Sequence, residues 1–167
     1  MTVGTDTYVT LEDADAYIEA RYSGADAERW AALEEIQREA LLLSACEEIE
    51  ALPLIGRKLY INQTLAFPRW PSDDYVPDFR TVGVLVGTVP QKVINAQCEL
   101  ALWLSDTAKT ADSATRASLQ AQGVKSFSIG DLSESYSAGA SAVPAPLLCP
   151  KCRTLLKPYT EGSFLTC

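Results

Sequence analysis

The sequence predicts a mainly α protein: a small helical bundle with an inserted β-hairpin and an extended C-terminal arm. Three observations predict it. Three long stretches repeat apolar residues at helical spacing. The period then changes from about 3.6 to 2 near Val124. A Ser/Ala/Pro-rich run, "SAGASAVPAP", separates that change from a last apolar segment. The expected organisation is a helical core over 1–122 with a connecting strap at 57–89, a hairpin over 123–138, and a linker and arm over 139–167.

The first helix starts at Thr10, which can cap it, with Asp13 three residues on as the acidic partner. Leu11, Ala14, Tyr17 and Ile18 share one face, and "SGAD" breaks the helix at Ser23–Asp26. A short helix around Ala27–Leu33 carries Trp30. The second long helix runs from Glu34 to Leu52. Leu42, Cys46 and Ile49 form its stripe, widened by Ile36, Ala40 and Leu43, and Glu34, Glu35 and Glu39 favour its N-terminal dipole. Pro53 and Gly56 end it.

The connector holds "QTLAFPRWPSDDYVPDF", dense in rings and prolines. Pro68 and Pro71 have the PxxP spacing of a groove ligand. The stronger reading is a packing strap: Gln63, Phe67, Pro68, Arg69 and Trp70 are its structural residues, and Phe67, Trp70 and Phe79 are expected to be buried at about 2–3 kcal/mol per ring. Val82–Val89 is a short strand or a buried loop.

The third long helix starts near Pro90, a good first-turn residue, and continues to about Thr107. Val93, Ile94, Ala96, Leu100, Ala101 and Leu104 are too many for a narrow stripe, so it is central in a bundle or buried between subunits. "TADSATRASLQAQG" is a linker or a weak fourth helix. In "VKSFSIGDLSESYS" alternation on both sides of Gly130-Asp131 gives the hairpin. A short helix near Pro150–Lys157 and a tail close the chain.

Charge and composition exclude several function classes. Net charge is −8. Residues 1–52 hold 13 acids and 3 bases, net −10, and 53–167 hold 9 acids and 11 bases, net +2. Nucleic-acid binding needs a basic surface, so the acidic half argues against it. A solvated helix face, a basic protein partner or the wall of a DNA channel each suit such a half. Catalysis lacks histidine, a phosphate loop and a nucleophile elbow, so no enzyme and no catalytic or cofactor-binding residue is expected. No run is long enough to span a bilayer. The start of the chain lacks a signal-peptide pattern, so synthesis in the cytosol with reduced thiols is expected.

Cys149 and Cys152, in "CPKC", with Cys167 downstream, are the metal candidates. A structural zinc site offers four ligands, usually as two knuckles, and only one knuckle exists. Ligand counting therefore favours a short apolar helix bearing Leu147, Leu148, Cys152, Leu155 and Leu156. A small zinc-binding module remains a rival reading, and no cofactor is expected.

One ordered set of pieces carries a family resemblance: "TYVTLEDADAYIEARY", a helix ending "LPLIGRKL", "NQTLAFPRWP", "VPQKVINAQCELALWL" and "GVKSFSIGDLSESYS". Over roughly residues 7–160 this resembles the head–tail adaptor (head-completion, connector) proteins of tailed bacteriophages. Some members carry the label DnaT-like single-stranded-DNA-binding protein. The Gly56, Gln63, Phe67-Pro68-Arg69 block is the most specific part. The resemblance implies a structural virion protein in the neck, assembled in the host cytoplasm as a ring, typically of twelve copies, beneath the portal. DNA passes through the ring without sequence-specific binding, and a neck or tail protein docks on it. It also implies docking on the portal through the C-terminal segment, here Leu147, Leu148, Leu155, Leu156, Tyr159 and Phe164. Contact with neighbouring copies would come from the hairpin, here Phe127, Ile129, Leu132 and Tyr136. "CPKC" and Cys167 are not in the expected pattern. The alternative is a single-stranded-DNA-binding replication accessory, for which Arg69-Trp70 and Lys58-Tyr60 are the basic–aromatic candidates.

Overall fold

A computed structural model describes residues 1–70, 88–107, 126–129, 132–135 and 148–160. Among them are five α-helices: α1 (Leu11–Arg21), α2 (Ala25–Ala31), α3 (Glu35–Glu50), α4 (Gln91–Leu104) and α5 (Pro150–Leu156), the last followed by a 3-10 turn, Lys157–Tyr159. Two short antiparallel pairs accompany them: β1 (Arg57–Lys58) with β2 (Arg69–Trp70), and β3 (Ser126–Ile129) with β4 (Leu132–Ser135). The protein is mainly helical with a small hairpin, as the sequence predicts.

The expected cap of α1 is present. Thr10 accepts the Asp13 backbone N–H at 3.1 Å and donates its hydroxyl to the Asp13 carboxylate at 2.7 Å. Glu34 caps α3 reciprocally with Gln37, whose side-chain oxygen accepts the Glu34 N–H at 2.9 Å. The apolar stripe of α3 is narrower than its period suggests. Leu42, Ala45, Cys46 and Ile49 are buried, whereas Ile36 is 75% exposed and Ala40 is also exposed. Both lie in the first half of the helix, on its exposed side. Gly56, at φ 79°, takes the left-handed turn after α3 that a side chain would disfavour.

The broad apolar surface of α4 is explained by its place at the centre. One side packs on α3 and another on α5, with α1 across it. Val93, Ala96, Cys98, Leu100, Ala101 and Leu102 are buried within the chain. Of the two settings open to this helix, the middle of a bundle is the one observed. Pro90 stands one position before the first turn, as the N-cap.

The C-terminal segment is folded onto the bundle. In α5, Cys152 and Leu156 are fully buried and Leu155 and Tyr159 pack on the core. Leu54 bridges Thr160, and the Ile55 N–H donates to the Tyr159 carbonyl at 2.9 Å. The expected short helix near Pro150–Lys157 is present as α5, and over 150–160 the segment packs on the bundle. The physical reason is that α4 needs an apolar cover that α1 and α3 leave incomplete.

The strap behaves as a packing element where it is described. Phe67 is buried and makes edge contacts with Tyr8 at 6.0 Å and Tyr159 at 5.4 Å between centroids. Trp70 is only half-buried. Phe79, most of Val82–Val89, the segment 108–122, Tyr136, the linker 139–147 with Leu147, and the tail with Phe164 and Cys167 lie outside the described residues. In the hairpin, Phe127 pairs with Glu134 and Ile129 with Leu132.

Candidate nucleic-acid and partner surfaces

Two polar constructions and one basic edge are candidates for function. The first construction is built on α4, where a charged residue interrupts the apolar face. Glu99 is 6% exposed and accepts hydrogen bonds from the Tyr17 hydroxyl at 2.8 Å and from the Tyr22 hydroxyl. The Lys151 ammonium lies 3.7 Å from the same carboxylate, donates to the Tyr22 hydroxyl and sits 4.0 Å over the Tyr22 ring. One carboxylate thus ties α1, α4 and α5 together. Burial, then hydrogen bonding to Glu99, pushes both phenols well above their usual range. They stay neutral donors, which suits a structural clasp and not proton transfer near neutral pH.

The second construction holds the N-terminus and the strap. Gln97, fully buried, accepts the Tyr8 N–H at 3.0 Å and donates to Thr7 Oγ1 and the Leu42 carbonyl, both at 2.8 Å. Glu50 accepts the Tyr8 hydroxyl and the Ala66 N–H, the latter at 2.7 Å, while the Phe67 N–H donates to the Tyr8 oxygen at 3.1 Å. Gln97, Glu99 and Glu50 escape a reading by period. The available signal is two polar residues, Gln97 and Glu99, inside the apolar stretch from Ala96 to Leu104.

The basic edge is the β1–β2 ribbon. Its register sets Arg57 opposite Trp70 and Lys58 opposite Arg69. The two basic–aromatic candidates, separate in sequence, therefore meet. Arg57, Lys58 and Tyr60 are exposed, and so is Lys157, two residues before the Tyr159 carbonyl that receives Ile55. Two of the cations, however, hold backbone. Arg69 donates to the carbonyls of Leu54 at 3.1 Å, Ile55 at 3.0 Å and Gly56. The Lys58 ammonium donates to the Thr64 carbonyl at 2.7 Å. Gln63 completes the strap, donating to the Leu65, Ala66 and Pro68 carbonyls and accepting the Tyr60 N–H. Arg69→Met is expected to cost about 1–3 kcal/mol, because three carbonyls lose a charged donor. Denaturant unfolding measures it, with faster amide exchange at 54–58 as the local signature.

Along α1 and α3 most of the exposed charges are acidic. Glu12, Asp13, Glu19, Glu34, Glu35, Glu47 and Glu48 are all exposed. Several remaining cations are paired with acids: Arg38 with Asp15 at 2.6 Å, and Arg29 with Asp26 at 2.8 Å. A cleft of about 370 Å³ between the N-terminus, α1 and α4 is bordered by Asp13, Tyr17, Asn95 and Cys98. Its carboxylate, Asp13, is engaged in capping α1.

Among the described residues no three cysteine or acidic side chains converge on a metal position. Cys149 and Cys152 stand together at the start of α5 and Cys167 lies outside the described residues. Of the residues singled out for docking, Leu156 is interior, Leu155 and Tyr159 line the seat of α5, and Leu148 is half-buried.

Compared with known families, the chain is matched over residues 1–166 by a family model described as "Putative DnaT-like ssDNA binding protein". No curated protein and no solved structure matches it.

Proposed function

We propose that this chain, which belongs to the DnaT-like family whose model spans it, acts by binding and not by turnover, as a head–tail adaptor of a tailed bacteriophage. In this reading copies form a ring under the portal, continue the DNA channel and receive the next neck or tail protein. The observation that carries it is the distribution of charge. Glu12, Asp13 and Glu19 on α1 and Glu35, Glu47 and Glu48 on α3 face solvent, and such acids repel phosphates, which suits a conduit through which DNA must slide. The resemblance of the ordered set of sequence pieces to adaptors supports the same reading. Negative-stain images of the purified protein, alone and with portal, test it. Rings or portal-dependent assembly are expected; a monomer indifferent to portal overturns it.

A second reading, single-stranded-DNA binding, is favoured by the family's description and by the ribbon that joins Arg57, Lys58, Tyr60 and Trp70. A basic edge beside aromatic rings is the arrangement that strand binding uses. Titration of a labelled oligonucleotide decides between the two. The adaptor reading expects no salt-dependent binding at micromolar protein. Strand binding expects affinity that falls steeply with salt and drops by about 1–3 kcal/mol in Trp70→Ala, the range of one stacked base.

A further inference from the structure

We infer that Cys149 and Cys152 form a dithiol–disulfide couple, a thiol-modification site at the point where the C-terminal helix begins. Cys149 is the N-cap of α5, and its sulfur accepts the Cys152 backbone N–H at 3.4 Å. The Cys152 sulfur lies 3.6 Å from the Ala96 carbonyl of α4. The first turn thus sets the Cys149 sulfur against the Cys152 backbone, at the separation in sequence that closes a CxxC ring.

The two thiols are unequal, as an attacking and a resolving thiol must be. The Cys152 side chain beside it holds Cys149 below its usual range, while burial pushes Cys152 well up. Cys46 and Cys98 provide the contrast. Each is buried alone on a long helix, and burial pushes each up to about 12, so they stay inert thiols.

The oxidant class is a low-molecular-weight disulfide. The Cys149 thiolate attacks one of its sulfurs, a mixed disulfide forms and one small thiolate leaves. Cys152 then gives up its proton and attacks the Cys149 sulfur, forming the intrachain bond and expelling the second small thiolate. Two electrons pass from the chain to the small disulfide. Cys149 is 3% exposed, so the first step waits on opening at the helix start, which the exposed Pro150 and Lys151 border.

The test uses the full chain carrying Cys167→Ser, equilibrated with reduced and oxidised glutathione and read by intact mass and peptide mapping. Loss of two hydrogens, mapped to a Cys149–Cys152 bond, is expected. Its formation should be favoured on the order of tenfold over the same chain in urea, because folding aligns the sulfurs. Cys152→Ser, checked for fold by circular dichroism, should instead accumulate the mixed disulfide at Cys149. An unchanged mass, a bond through Cys46 or Cys98, or equal formation in urea overturns the inference.

Discussion

Leu156→Ala is expected to destabilise the protein by about 2–5 kcal/mol, the range for emptying a fully buried leucine site. Leu156 has no exposed surface and closes the side of α4 that α3 leaves open. A loss of this size is a large part of a typical folding free energy of about 5–15 kcal/mol. Urea unfolding followed at 222 nm gives the difference directly. The result separates two views of the C-terminal segment. If α5 belongs to the bundle, the whole protein weakens in one transition. If it is an arm that orders only on a partner, the midpoint stays put, and the packing described here is overturned.

Gln97→Met should cost about 2–6 kcal/mol although side-chain volume is nearly kept. The accounting runs through three partners. Leu42 belongs to α3, so its carbonyl still has a helical bond available. The Thr7 hydroxyl oxygen still accepts the Val9 N–H at 3.3 Å and its proton still goes to the Val9 carbonyl. The Tyr8 N–H, by contrast, is left buried with no acceptor, at about 1–3 kcal/mol, and the two lost donor bonds add about 0.5–1.5 kcal/mol each at most. A midpoint shift below about 0.5 kcal/mol would mean that water or a shifted backbone supplies the missing acceptor. Thermal and urea unfolding of the variant measure it.

The parts of the fold that were legible in the sequence depend on neighbours in the chain. Thr10 with Asp13, the stripe of α3 from Leu42 to Ile49, and the broad face of α4 all follow from spacing and capping. Ile36 shows the limit. It has the right period, but in the first turn of α3 it is left exposed, and spacing carries no information on where a neighbour ends. The ribbon was illegible because two-residue strands have no period, so the meeting of Arg57 and Trp70 had to be seen. The clasp around Glu99 was illegible for another reason. Its partners come from residues 17, 22 and 151, and only the packing of α1 and α5 on α4 brings them together. The broad face of α4, which on spacing alone admits burial between copies, is covered by the chain's own helices. Apolar surface on α4 therefore does not call for assembly with other copies.

The polar core has a kinetic consequence. The Tyr8–Gln97 bond joins residues 89 apart in sequence, and Gln97–Thr7 spans 90. Such bonds can be made only after a long loop has closed, whereas each helix can flicker into place by itself. The slow event in reaching the native state is then the capture of the N-terminus, with the central glutamine locking last. Removing that amide should hasten escape from the native basin while leaving the rate of entry nearly untouched.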